Sequence, residues 1–176
     1  MKSSLLTVLA AAAAATVALV PAFAQTSSLR GHNSSAPVDV GADRIEVQDR
    51  SDRAVFSGNV IVRQAELTLT ASRLTVAYSD TGGIDIKRLD ASGGVTMRSP
   101  SESARGDFGI YDLDRGIITL IGDVSLVQGP NRVNGGRLVI ELDSGRAVMD
   151  GGGPPGVTGQ GGRVTGTFTV PRRGGA

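Results

Sequence analysis

Three short steps, Gly58-Asn59-Val60, Gly93-Gly94-Val95 and Gly122-Asp123-Val124, recur 35 and 29 residues apart, and each leads into an alternation of apolar and polar residues. Repetition at such a period marks stacked supersecondary units, none of which buries its apolar face alone. Each step is followed by a second strand-like run: Leu74-Thr75-Val76, Phe108-Gly109-Ile110 and Leu138-Val139-Ile140. Leu67 and Leu69 alternate with Thr68 and Thr70, and Val124 and Leu126 flank Ser125. One apolar and one solvated face is antiparallel behaviour. The glycines and β-branched residues leave no window for an amphipathic helix.

Turn chemistry divides the repeats. Asp80-Thr81-Gly82-Gly83, Asp112-Leu113-Asp114-Arg115-Gly116 and Asp143-Ser144-Gly145 place Asp before Gly, which lets the chain reverse through positive φ. Shorter reversals fall at Ser99-Pro100 and Gly129-Pro130-Asn131. Each repeat is therefore expected to hold about four short strands, with the leading glycines at strand starts. Two facing antiparallel sheets, or one strongly curved sheet folded on itself, would bury the apolar face. A stack of repeats has two unprotected ends, which invite another copy to continue the sheet. Ile45 and Val47 would lie at one end and Val164, Phe168 and Val170 at the other, predicting end-to-end homo-oligomers.

The flanks differ from this centre. Lys2, an apolar run from Leu5 to Val20, Pro21 and the small-x-small site Ala22-Phe23-Ala24 read as an export signal, so residues 1–24 are expected to be cleaved before Gln25. Residues 25–41 are polar and predicted to be a flexible leader. Residues 42–150 form the β domain, 151–162 a flexible Gly/Pro-rich segment, and 163–176 a terminal edge strand and tail.

Composition excludes several chemistries. No cysteine is present, which removes disulfides, thiol catalysis and Cys-based metal sites. His32, the single histidine, lies in the leader, so no Ser-His-Asp triad or His-based metal site can be set on the scaffold. Neither catalysis nor a cofactor is expected. Loss of Lys2 with the signal leaves 17 basic residues (18 − 1) against 17 acidic, a neutral protein ill suited to nucleic acid.

The stretch Leu120-Ile121-Gly122-Asp123-Val124-Ser125-Leu126-Val127-Gln128-Gly129-Pro130-Asn131-Arg132-Val133-Asn134-Gly135-Gly136-Arg137-Leu138 resembles the hallmark repeat of the OstA-type domain, and Val55 to Gln64 resembles a first copy. Similarity runs from about Ala42 to Asp150 and is strongest to the LptA-like periplasmic lipopolysaccharide transport family. The middle copy around Gly93 lacks the Gln-Gly step, which leaves its strand register open. The resemblance implies an all-β, twisted antiparallel β-jellyroll of about three to four stacked repeats, open at both ends. It further implies an interior for the acyl chains of lipopolysaccharide or a related envelope glycolipid. The implied partners are an inner-membrane anchored transport protein and an outer-membrane assembly protein.

The candidate lipid-binding face is aliphatic: Val60, Val62, Leu67, Leu69, Leu74, Val76, Val95, Met97, Phe108, Ile110, Leu120, Val124, Leu126, Leu138 and Ile140. A closed sandwich core would need the same residues, so the discriminating question is whether the layers close on each other. Arg63, Arg73, Arg98 and Arg137 are candidates for headgroup phosphates. Two other readings use the same sequence: an exported structural or adhesive β-repeat with no cargo, and the membrane-anchored partner of the same pathway.

Overall fold

The computed structural model describes residues 25–26, 29, 31–80, 82–152 and 162–169. The expected signal segment, most of the Gly/Pro-rich segment and Val170 lie outside these. The described residues form eleven strands: β1 (Gln25–Thr26), β2 (Asp39–Gly41), β3 (Arg44–Gln48), β4 (Arg53–Gln64), β5 (Leu67–Asp80), β6 (Ile84–Arg98), β7 (Glu102–Asp112), β8 (Ile117–Gln128), β9 (Asn131–Glu141), β10 (Arg146–Asp150) and β11 (Thr165–Thr167). They make one antiparallel sheet in the order β1-β10-β9-β8-β7-β6-β5-β4-β2, with β3 also on β4 and β11 also on β9.

The central strands are long, not short. Each neighbouring pair from β4 to β9 loses register near its middle, at Ser57/Val60, Thr70/Arg73, Ser92/Val95, Arg105/Phe108 and Ile121/Val124, and β5–β6 shifts again at Ala77/Tyr78. The repeated glycine steps sit at these bulges. Gly58-Asn59, Gly93-Gly94 and Gly122-Asp123 are each a consecutive pair at positive φ, which bends a strand without ending its ladder. The expected four short strands per repeat are thus two long strands, each bent once. The middle copy, whose register the sequence left open, bends at the same place as its neighbours.

Aligned bulges form a spine along which the sheet folds into two layers. Tyr111 on β7 and Gln64 on β4 are three strands apart in the sheet, yet the Tyr111 hydroxyl donates to Gln64 Oε1 at 2.8 Å. One apolar cluster unites both layers, including Leu74, Leu89, Leu120, Leu138 and Ile140 from one and Val60, Leu69, Met97, Val124 and Leu126 from the other. The Asp/Gly turns lie along one lip of this fold. The turns after Gln64, Arg98 and Gln128 lie along the other.

The ends are capped by short strands. On β4 the free edge is taken by β3 over Arg53–Ser57 and by β2 over Ile61–Arg63; on β9 it is taken by β10 over Arg137–Glu141 and β11 over Arg132–Asn134. The predicted terminal strand is shorter than residues 163–170 and pairs within the chain.

Residues 25–41 overturn the expectation of a flexible leader. β1 pairs with β10 at one end of the sheet and β2 with β4 at the other, and the described residues between them, Leu29 and 31–38, form a strap against the core. Leu29 is 4% exposed, and His32, Ser34, Ala36, Val38 and Val40 are each half-buried, alternating with exposed neighbours. Period two has continued into a segment whose polar composition concealed it.

Candidate functional site

The layers meet in an aliphatic seam. Thirteen of the fifteen candidate residues lie in it: Val60, Val62, Leu67, Leu69, Leu74, Val76, Val95, Met97, Leu120, Val124, Leu126, Leu138 and Ile140 are all buried in the shared cluster. Phe108 and Ile110 do not join them. Phe108 is 55% exposed on the outer face, opposite Ser92 and Ile121. The bulge between Arg105 and Phe108 resets the alternation on β7, so Gly109 and Tyr111 face inward in their place. A Cβ at Gly109 would lie 3.0 Å from Val95 Cγ1 and 3.2 Å from Leu120 Cδ2, so no larger side chain fits there without displacing them.

The seam also holds residues absent from the candidates. Leu89, Ala91, Ala104, Ile118 and Leu142 are buried in it. Ile118 shares a face with Leu120 by simple alternation about Thr119, a legible signal. Leu89 and Ala91 lie just before the Gly93 bulge, whose parity change hides their pattern.

Near the Gln64 corner the described residues leave little space between the layers. A cavity lined by Val38, Val62, Gln64, Leu69, Tyr111 and Ile118, among others, measures about 10 Å³, room for one water at most. Val38 places the strap directly over it. The layers pack against each other here, with Leu29 buried in the shared core and Val38 packed against it.

Gln64 ties strap and layers together. Its side chain is buried at 2% exposure. Nε2 donates to the carbonyls of Ser34 at 2.8 Å and Ala36 at 3.0 Å, while Oε1 accepts from Tyr111 and lies 3.1 Å from His32 Nε2. Since Oε1 can only accept, His32 Nε2 must carry a proton in this pair. Burial, and secondarily the Asp143 carboxylate, push the Tyr111 phenol up to about 12, keeping it a neutral donor.

The outer face is polar. Arg63, Arg73, Arg98 and Arg137 are exposed there. Arg63, Thr68, Arg98, Ser103, Val127 and Arg132 form one cross-strand row behind the second lip. Ile45 and Val47 on β3, and Val164 and Phe168 flanking β11, are exposed at opposite ends of the sheet. Among the described residues no helix is long and apolar enough to cross a membrane.

Comparison with known proteins gives this architecture relatives. A family model described as LptA/(LptD N-terminal domain) LPS transport protein matches residues 39–146, from β2 into β10. A protein of Rhizobium meliloti (strain 1021) of undescribed function is 34% identical over 140 residues, covering 73% of this chain and 75% of that one. The LPS-assembly protein LptD of Yersinia enterocolitica is 30% identical over 118 residues, which span 58% of this chain but 15% of LptD. The crystal structure of LptH, described as the LptA homologous periplasmic component of the lipopolysaccharide transport device of Pseudomonas aeruginosa, superposes with a TM-score of 0.68 at 20% identity. It covers 79% of this chain and 99% of LptH. That likeness shows an open β-jellyroll fold.

Proposed function

The chain belongs to the LptA/LptD N-terminal domain family of LPS transport proteins, and from this premise we propose that it is a periplasmic carrier holding lipopolysaccharide acyl chains between its two layers. The observation that carries the reading is the seam itself. It is continuous and predominantly aliphatic, with Gln64, Tyr111 and Glu102 as buried polar residues, and the two layers are joined along the bulge spine. Layers joined at a spine can part at the lips while every ladder hydrogen bond is kept.

The packed seam is then the unloaded state. Parting the layers exposes apolar surface, and acyl chains entering between them cover it again. Each methylene removed from water contributes about 0.8 kcal/mol, so one chain of about ten carbons supplies on the order of 8 kcal/mol towards opening. No charge on the protein is needed. In this reading the β2/β3 end and the β10/β11 end dock, by strand addition, to the next copy, to an inner-membrane anchored partner or to an outer-membrane assembly protein.

Purified residues 25–176 mixed with lipopolysaccharide should comigrate with it on native gels and shed it on delipidation. Retention no greater than that of an unrelated β-protein would defeat the proposal. It would favour instead the structural β-repeat with a dry core, for which the 10 Å³ cavity already speaks. A native N-terminus at Gln25, read by mass spectrometry, distinguishes the free carrier from the anchored partner.

A further inference from the structure

We propose that the outer face of the second layer carries a phosphoryl-binding basin formed by Arg98, Arg105 and Arg132 around Ser125. The basin measures about 210 Å³ and is also lined by Thr96, Ser103 and Val127. Its residues come from four consecutive strands held in fixed register: Arg98 faces Ser103, which faces Val127, which faces Arg132, while Arg105 faces both Thr96 and Ser125 in the adjoining row. Three guanidiniums thus border hydroxyl groups on a rigid sheet, and no carboxylate lines the basin.

Two observations point to an anion. The first is charge left without a counterpart. Arg98 and Arg132 have no ion pair among the described residues, and Arg105 reaches only Asp123, at 4.0 Å, whose side chain is 90% exposed. The second is Ser125. It is 4% exposed, and its Oγ is buried without a hydrogen-bond partner. A buried hydroxyl left unpaired is costly, whereas an oxyanion held by the arginines above it would accept that proton. A tetrahedral phosphoryl group matches this set, because its oxygens can take several guanidinium N–H donors and one hydroxyl together.

The placement gives the site its use. Arg98 and Arg132 stand immediately beside the turns that form the second lip. A phosphorylated headgroup whose chains lay in the seam would leave the protein over that lip, and could fold back onto the basin. The site stands on its own geometry; only the assignment of its phosphate to a lipid rests on the carrier reading.

Titration calorimetry of the full mature chain with inorganic pyrophosphate at low ionic strength tests the site without any lipid. Arg105→Gln with Arg132→Gln should weaken binding at least tenfold, and Ser125→Ala several-fold without lowering Tm. Arg50→Gln, on the short helical turn at the far end, should leave binding unchanged. Equal loss in Arg50→Gln, or undiminished binding in the double variant, would overturn the proposal, since either result makes the attraction non-specific. A second arm compares lipopolysaccharide with its enzymatically dephosphorylated form. Should the basin serve the headgroup, wild type prefers the phosphorylated lipid and the double variant does not; should it serve free phosphate, pyrophosphate binding falls and the lipid preference is untouched. Absence of all lipid binding removes the carrier reading and leaves the pyrophosphate result standing.

Discussion

At the scale of single residues, the polar corner under the strap is the most constrained point of the interior. Gln64 engages four partners, and Tyr111 is one of them. Its phenol is held up to about 12 by burial first and the Asp143 carboxylate second, so the unfolded chain, with a phenol near 10, releases that proton earlier. The sign follows from linkage: the stabilisation is complete below pH 10, and unfolding becomes progressively favoured as pH rises from 10 to 12. Two pH units correspond to about 3 kcal/mol. In urea titrations at pH 9 and pH 11.5, Tyr111→Phe should lose clearly less stability between the two values than wild type; identical losses would contradict the assignment. At neutral pH the same change should cost about 1 kcal/mol for the lost hydrogen bond. Tyr111 is hidden in the sequence because Phe108-Gly109-Ile110 reads as an apolar alternation, and nothing in the residues marks the bulge between Arg105 and Phe108. One bulge exchanged Phe108 and Ile110 for Gly109 and Tyr111.

At the scale of elements, the glycine steps carry the fold, and their recurrence was plain in the sequence even though their role was not. Regular spacing reveals that something repeats, but a positive-φ pair reads equally well as a turn between strands or a bend within one. What decides it is the partner strand. A Cβ at Gly122, at φ +82°, would run into the Asp107 carboxylate on β7 across the bend. Gly122→Ala therefore meets both left-handed strain and a collision, and should cost about 2 kcal/mol or more in chemical denaturation. Asp107→Ala in the same chain should return part of that loss, an interaction visible in a double-mutant cycle. Gly82→Ala provides the contrast: it too has positive φ, but nothing lies within 4 Å of its Cβ, and only the strain remains. Additive losses for Gly122 and Asp107 would mean that the bend does not depend on their close approach. The aliphatic alternation on β4, β5, β8 and β9 was legible because each half-strand is long enough to show its own period. β7 and the first half of β6, with their Gly and Ala positions, were not.

At the scale of the whole molecule, the proposed carrier would take up lipid between two layers that share one packed core, and the strap lies against that core at Leu29 and Val38. The segment between Thr26 and Asp39 is anchored by β1 on β10, by β2 on β4 and by Gln64 between them, with Leu29 inserted in the shared core. Its anchors at β1 are two residue pairs, Gln25 with Ala147 and Thr26 with Arg146, so this end is the weaker. Release from β10 would withdraw Leu29 and free the lips, while β2 keeps the segment attached. The chain has no native cysteine, which makes the idea directly testable. Directly opposed antiparallel residues have Cα atoms about 4.5–5.5 Å apart, within disulfide range, so Thr26→Cys with Arg146→Cys should form a bond across this register. Oxidised, the pair should slow lipopolysaccharide capture at least tenfold; reduction should restore the wild-type rate. Gln64→Ala, which frees the middle of the strap, should lower stability by about 2 kcal/mol and hasten capture. If the oxidised protein loads as fast as the reduced one, the lipid enters elsewhere, through the open ends of the stack. If neither form loads, it is the carrier function that fails. Equal capture and no capture are separable results, and the strap is held to account by the first alone.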